Sequence, residues 1–396
     1  MKILVIAQMY LSPFNKNDVV VHQLVSELRK LGCQLKVISP IPWTPFPIKY
    51  LSRKWQAYSQ VPSRMTWDGI EVYYPRFLQF PRSLFLASSG KKMYAGIRKL
   101  VEEISRDFKF DIIHAHYALA DGFAAMLIGA KYNVPLITTP RGTDIDITLS
   151  KNRACFNAVC TVLRNSAKVI APSAQLQTKL LEKIKINAEL IPNGIYAENI
   201  FAGKSSLGEK YKGHTILLSV SQLIPTKGID LNIQALAQLK NKHRSLHYLI
   251  IGQGELKNQL IKLVYNLNIQ DSVEFLEQLP HEKVMEYMSV CDIFCLPSWQ
   301  ETLGLVYLEA MAHGKPIIGC QRQGVDGLIV NGETGLMVKP KDVDSLAQTI
   351  DFLLSNPEKA KEIGERARKL VLENYTWEKT ARKCVEIYRK IMATHG

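Results

Sequence analysis

Short runs of valine, isoleucine and leucine alternate with helical patterns along the whole of this chain, and that alternation constrains its fold more than any other feature. Strands buried on both faces read as near-continuous apolar runs, and parallel strands need crossover helices between them. The spacing predicts strands near 2–8, 34–39, 70–74, 111–115, 135–139, 168–171 and 189–191, with helices near 18–31, 88–108, 119–132, 149–165 and 173–184. A second series has strands near 215–221, 247–251, 273–276, 292–296, 316–319 and 336–338, each followed by a helix. Between the two, polar sequence from about 193 to 213 reads as a linker, and the proline-rich segment 40–68 as a long inserted loop. Single cores seldom grow past about 250–300 residues, so 396 residues divide into two domains, 1–195 and 205–375. The expected class is α/β: two doubly wound Rossmann-like domains facing a central cleft, with a C-terminal helix over 376–396 crossing back to the first. Ligands of such sheets bind at the carboxyl ends of the strands, and a cleft between two domains suits two substrates.

The N-terminal MKILVIAQMYLSP has one lysine and a short apolar run, which fits a buried strand and not a signal peptide. No apolar stretch approaches the ~20 residues that span a bilayer. Seven cysteines are an odd number, and the pairs Cys155/Cys160 and Cys291/Cys295 lack metal-site spacing. Reduced thiols in a cytosolic protein are the expectation.

Charge is concentrated in the first half: residues 1–200 hold 26 Lys+Arg against 14 Asp+Glu, residues 201–396 hold 24 against 22. Residues 48–100 alone carry 10 basic and 2 acidic side chains. Around them stand Trp43, Phe46, Tyr50, Trp55, Tyr58, Trp67, Phe77, Phe80 and Phe85. Basic residues mixed with aromatics suit an anionic membrane surface. Nucleic acid is the weaker alternative because no nucleic-acid module accompanies them, and a solvated basic face is the bland one.

In the second half, Ser221-Gln222-Leu-Ile-Pro-Thr-Lys227-Gly228 joins a strand to a helix. A lysine there can neutralise phosphate oxygens, and the glycine permits close backbone approach. Gly252-Gln-Gly254 follows the next strand; by itself it is a tight turn, and it lacks the third glycine of a dinucleotide fingerprint. Then come Pro297-Ser298 and the stretch Glu301-Thr-Leu-Gly-Leu-Val-Tyr-Leu-Glu309. Eight positions turn a helix roughly 80° past its starting face, so the two carboxylates do not stack as a metal pair. Glu301 belongs on the strand-to-helix loop and Glu309 one or two turns inside the helix. Gly304 between them leaves room for a ligand at the helix N-terminus, where free N–H groups favour phosphate. An acidic cap on an ordinary helix is the alternative.

Taken in this order and spacing, residues 215–340 strongly resemble the donor-binding domain of retaining glycosyltransferases of family 4, which have the GT-B fold. The first half agrees. Asp111-Ile-Ile-His114-Ala-His116, followed by Tyr117-Ala-Leu-Ala-Asp121-Gly122, looks like the family's His-x-His strand end. Thr138-Thr-Pro-Arg141-Gly142-Thr143-Asp144 stands where the family has a Thr-x-His-Gly-x-Asp loop, and Ile191-Pro-Asn193-Gly194 looks like its interdomain joint. The resemblance covers nearly the whole chain, least clearly residues 40–100, and is nearest to enzymes of bacterial cell-wall and capsular polysaccharide assembly.

The resemblance implies a hexosyltransferase moving a sugar from a nucleoside-diphosphate donor to an acceptor hydroxyl with retention, without cofactor or metal. Lys227 would contact the diphosphate, Glu309 the ribose and Glu301 the donor sugar. Gln222, Gly252, and the backbone N–H groups of Leu303, Gly304 and Leu305 would complete the donor site. His116 and Arg141 would line the acceptor side. A lipid-linked or polysaccharide acceptor at the inner face of the cytoplasmic membrane would complete the picture. Three departures stand out: Gln222 replaces the usual arginine, Asn17-Asp18-Val19-Val20 replaces a Gly-Gly pair, and Arg141 replaces a histidine. A non-catalytic nucleotide-sugar binder or a sugar-nucleotide epimerase of the same fold are the rivals. Taken without the resemblance, His116 is a structural hydrogen-bonder, Arg141 an ion-pair partner of Asp144 or Asp146, and His22, His281 and His313 structural.

Overall fold

Ile3, Leu4, Val5, Ile6, Ile112, Ile113, Leu217, Leu218, Ile317 and Ile318 are fully buried, as strands covered on both faces must be. The computed structural model of the chain describes all residues except 15–18, 81–83, 201–204, 302 and 396. Asn17 and Asp18 after the first strand, and Thr302 between the two glutamates, therefore lie outside the described residues. The chain forms two compact units, Met1–Pro192 with Trp377–Gly396, and Asn193–Thr376.

The first unit contains β1 (Lys2–Ile6), β2 (Gln34–Ile38), β3 (Ile41–Pro42), β4 (Arg64–Trp67), β5 (Ile70–Tyr73), β6 (Arg76–Phe77), β7 (Ile112–His116), β8 (Leu136–Thr139), β9 (Lys168–Ala171) and β10 (Glu189–Leu190). Among the described residues eight of these make one sheet in the order β10-β9-β8-β7-β1-β2-β5-β4. All neighbours are parallel except β4 and β5. The loops after β1 and β7 leave adjacent strands whose chains continue on opposite sides, so the switch point lies there.

Residues 40–68 are not the expected long loop. They hold β3, a helix Arg53–Gln60 capped by the Ser52 side chain, and β4, which pairs antiparallel with β5. That helix is eight residues long and fully buries none of them, a span too short for apolar periodicity to stand out. The hairpin did leave a signal: Trp67 pairs with Ile70 across Asp68-Gly69, both at positive φ (46° and 73°). An Asp-Gly pair of that kind is the strongest short-range hairpin cue.

The second unit contains β11 (Thr215–Val220), β12 (Leu246–Ile251), β13 (Val273–Leu276), β14 (Ile293–Cys295), β15 (Ile317–Cys320) and β16 (Leu336–Val338). Among the described residues they form a six-stranded parallel sheet in the order β13-β12-β11-β14-β15-β16. Numbered within the unit this is 3-2-1-4-5-6, the order of a dinucleotide-binding fold, with its switch point between β11 and β14. One expectation fails here: turns and no helix join β15 to β16. The segment read as linker also ends inside this unit, since Tyr211 is buried in its core.

The helix Trp377–His395 belongs to the first unit. His114 on β7 holds it: its Nδ1 lies 2.7 Å from the Tyr388 hydroxyl and its Nε2 2.8 Å from the Thr139 hydroxyl. Burial, followed by the nearby Arg141 charge, pushes His114 down to about 3. A depressed histidine keeps its stabilisation above its unfolded value near 6.5 and loses it as pH falls toward 3. His114→Phe is expected to cost about 2–3 kcal/mol at pH 7 by removing two buried hydrogen bonds, those to the Tyr388 and Thr139 hydroxyls. It should also flatten the fall in stability between pH 6.5 and 3, as read by denaturant melts across that range.

Candidate functional site

The second unit builds its site where β11 and β14 diverge. After β11 the chain makes a short turn over Pro225–Lys227 and enters the next helix through Gly228 at φ 69°. A Cβ on Gly228 would sit 2.8 Å from the Pro297 carbonyl oxygen, so only glycine lets the two loops touch. The Trp299 backbone N–H and the buried Ser298 hydroxyl both donate to the Thr226 carbonyl, at 3.0 and 3.1 Å. The lysine loop is thus fastened to the loop after β14. The result is an ion pair: Lys227 Nζ donates to Glu301 Oε2 at 2.7 Å, with both side chains mostly buried (17% and 16% exposed).

Glu301 is four residues ahead of the helix Leu305–Ala312, whose N-cap is Gly304. As a glycine the N-cap has no side chain to cap this end, and the N–H groups of a helix start favour an anion. Leu303, Gly304 and Leu305 are all partly exposed. Glu309 lies one turn inside the helix and points elsewhere: its Oε1 accepts from His281 Nε2 at 2.8 Å. The two carboxylates therefore have separate cationic partners and do not share a proton or an ion. His281, set aside as structural from the sequence, raises the question of what it does for Glu309; the hydrogen bond to Glu309 raises its pKa above the ordinary histidine value. No spacing rule links residues 281 and 309, which meet only because the helix His281–Val290 starts beside this one.

Gly252 has a structural reason of its own. At φ 142° its Cβ position falls 1.9 Å from the Ser221 carbonyl oxygen, and that of Gly254 falls 2.3 Å from the Leu223 carbonyl. Hydrogen bonds from Ser221 N to Ile251 O and Leu223 N to Gln253 O (3.1 and 2.9 Å) lock the two loops together. The Gly-x-Gly turn is a packing device supporting the lysine loop. Gln222 is exposed on that same loop.

The first unit gathers polar groups at its own switch point. His116 ends β7 with its ring 4.3 Å from that of His114. Arg141, after β8, donates from Nη2 to His116 Nδ1 at 3.1 Å. Burial first, then His114 and Arg141, hold His116 well below the ordinary histidine range, so the ring is neutral. With Nδ1 accepting, the proton belongs on Nε2, a buried donor without a hydrogen-bond partner among the described residues. Tyr117 next to it is held at φ 80°, a strain typical of functional loops. The Asp144 carboxylate accepts from the backbone N–H of Arg141 and of Ala118, at 2.9 and 3.2 Å, and burial lifts it to about 6. Asp146 instead pairs with Lys179 at 2.9 Å. Arg141 is thus turned toward His116.

Asp121 was not singled out from the sequence, although it closes the motif after His116. Its Oδ2 accepts from Gln8 N at 3.0 Å, tying the loops after β1 and β7, while Oδ1 is buried without a hydrogen-bond partner among the described residues. Burial raises it well above the carboxylate range. Among the described residues no group of three or more His, Cys, Asp or Glu is placed to hold a metal ion, and no helix is long and apolar enough to cross a membrane.

Comparison with known proteins gives the family. The model for glycosyl transferases group 1 matches residues 205–370, and that for Glycosyltransferase Family 4 matches residues 18–199. The chain belongs to these glycosyltransferases, of the family 4 type with the GT-B fold. TuaC of Bacillus subtilis, named for teichuronic acid biosynthesis, is 27% identical over 358 residues, which cover 88% of each chain. The N-acetyl-alpha-D-glucosaminyl L-malate synthase of Bacillus anthracis is 29% identical over 303 residues, 73% of this chain and 77% of that one. In fold, the chain is similar to sucrose-phosphate synthase from Thermosynechococcus elongatus, with a TM-score of 0.80, 21% identity and 99% of each chain covered. It is also similar to Anabaena HepE solved with UDP and glucose, with a TM-score of 0.73, 18% identity, and 98% and 100% covered.

Proposed function

We propose that this glycosyltransferase moves a sugar from a nucleoside-diphosphate donor to an acceptor hydroxyl with retention of anomeric configuration, in the assembly of a cell-envelope polysaccharide or glycolipid. The observation that carries the donor half is the Lys227–Glu301 pair fixed at the switch point beside a helix start whose N-cap is Gly304. Lys227 and the N–H groups of Leu303, Gly304 and Leu305 stabilise the charge that develops on the leaving diphosphate. Glu301 holds hydroxyls of the donor sugar, and Glu309 those of the ribose. The acceptor oxygen bonds to the anomeric carbon as the bond from that carbon to the phosphate oxygen breaks, and the acceptor proton passes to the leaving phosphate. His116 Nε2–H and Arg141 serve the acceptor side. Gln222 reaches the diphosphate as a neutral hydrogen-bond donor, weaker than a charged one. Gly252 acts through the loop it supports.

HepE, solved with UDP-glucose, supports a uridine diphosphate sugar as the first donor to try, and the name of TuaC supports an envelope polysaccharide as product. A lipid-linked acceptor at the cytoplasmic membrane face, reached from the cytosol, completes this reading. Its test is a thermal-shift screen of nucleoside diphosphates and their sugars, since a ligand bound only by the folded state raises its melting temperature. One diphosphate with its sugar should stabilise the chain, and that sugar should then turn over with an envelope-lipid extract. Binding without turnover would favour a non-catalytic binder, and conversion of the sugar without acceptor an epimerase.

A further inference from the structure

Two carboxyl groups stand at the switch point of the first unit, and their surroundings differ. The Asp144 carboxylate takes backbone N–H groups of Arg141 and Ala118, at 2.9 and 3.2 Å, and the Arg141 charge helps to hold it ionised. Asp121 has less. It is 1% exposed, its Oδ2 takes one N–H, from Gln8 at 3.0 Å, and no donor among the described residues faces Oδ1. An ionised carboxylate is acceptor-only, so a buried oxygen without a donor disfavours that form. Burial, and after it the Asp144 charge, oppose ionisation of Asp121 against the pull of the Gln8 N–H. Of two close carboxyls, the one with more donors keeps the charge and the other keeps a proton. Around residues 117–122 the chain also places His114 and His116 from β7, Tyr117 itself, and Arg141. The helices Ser89–Asp107 and Arg153–Arg164 meet this segment in one apolar cluster, with Met93, Leu119, Ala120, Val159 and Val162. Cys160 in that cluster is a thiol that burial keeps neutral.

Asp121 ties the loops after β1 and β7, where ligands of such a sheet bind. Gln8, held there by its backbone N–H, donates from Nε2 to Gln79 Oε1 at 2.7 Å. Farther along the same loop the Tyr74 hydroxyl donates to the Leu11 carbonyl at 2.6 Å, and Met9 between these two anchors is exposed. On the other side of the tie stand the buried Nε2–H of His116 and the strained Tyr117. We propose that Asp121 is a positioning residue that works as a neutral carboxylic acid with its proton on Oδ1, and that losing this proton to bulk solvent loosens the loop after β1 and slows transfer. The ionised side chain would stand beside a second carboxylate, and the repulsion strains the ties to Gln8 and to Ala118 together. The kinetic half rests on the transferase reading above; the protonation state does not.

The test compares the full chain with Asp121→Asn, which keeps an oxygen for Gln8 and an N–H in place of the acid O–H, and with Asp121→Leu, which keeps neither. At pH 7 the infrared difference between the parent and Asp121→Asn should show the C=O band of a protonated carboxyl. Melting across about pH 5–9 gives a second readout. A carboxyl raised in the folded chain contributes stability that is present below its unfolded value of about 3.9 and is lost as pH rises through the folded one. The melting temperature of the parent should therefore fall with rising pH more steeply than that of Asp121→Asn. In transfer, Asp121→Leu should lose about tenfold or more in kcat/KM at pH 7 by orphaning the Gln8 N–H. Asp121→Asn should restore transfer to within about threefold of the parent and exceed it on the alkaline side, where the parent ionises. No acid band together with equal melting slopes overturns the protonation state. Asp121→Asn as slow as Asp121→Leu at every pH would show that transfer needs a charged Asp121, and overturns the proposal as well. Full transfer in Asp121→Leu would remove the positioning role. If the chain moved no sugar at all, the transferase reading would fall, while the infrared and melting results would still decide the state of Asp121.

Discussion

Lys227→Met is expected to lower sugar transfer, as kcat/KM, by about a hundredfold to a thousandfold, or roughly 3–4 kcal/mol of transition-state stabilisation. In the proposed reading Gln222 stands in place of the usual arginine and Lys227 is the cation offered to the diphosphate, so little should compensate for it. Glu301→Gln should cost transfer rate while leaving affinity for the bare diphosphate nearly intact. The pair also contributes to the fold, because removing one partner leaves the other mostly buried and uncompensated. Stability and activity should therefore respond differently in a double-mutant cycle. The double variant Lys227→Met/Glu301→Gln should regain melting stability over Lys227→Met, since no charge is left unpaired, yet remain as slow in transfer. Recovery of transfer in the double variant would make the pair a structural ion pair and remove it from the chemistry.

Glu309→Ala is expected to weaken nucleoside-diphosphate binding by about tenfold to a hundredfold, in line with losing hydrogen bonds to a charged group. Its signature is selectivity. The parent should prefer a ribonucleotide to its 2′,3′-dideoxy analogue, and the variant should bind both alike. His281 fixes one oxygen of this carboxylate, so His281→Ala should lose part of the same preference and add nothing to Glu309→Ala. A preference that survives Glu309→Ala would end the ribose assignment. The His281 charge gives a second readout. Its pKa is raised in the folded chain, so its stabilisation is present below the unfolded value near 6.5 and is lost as pH rises through the folded one. Half exposed, the pair contributes a few tenths of a kcal/mol at most after solvent screening, and His281→Ala should remove that slope.

The residues forecast for the donor site fall around one switch point, yet they reach it for different reasons. Lys227 and Glu301 meet through loops whose order along the chain could be read directly. Gly252, expected in the donor site, is also the place where one loop backbone lies against another, a distance no motif encodes. His281 was read as structural and Asp121 was not singled out, because each meets a partner far away in sequence, Glu309 and Gln8 respectively. The segment 40–68 was misread for another reason: its helix is only eight residues long and fully buries none of them, too short a span for an apolar period to stand out. The basic segment was legible as charge, but exposure of individual rings depends on how β3 and β6 pair.

The sequence by itself determined the α/β class and the family, because apolar periodicity and motif order are local properties that survive along a chain. Tertiary structure decided the rest: the pairing of Glu301 with Lys227 and of Glu309 with His281, the neutral Nε2-protonated His116, and the outward-facing Trp43, Phe46, Tyr50 and Phe85. Those outcomes depend on distances and burial between residues remote in sequence, which exist only once the strands have taken their order in the sheet.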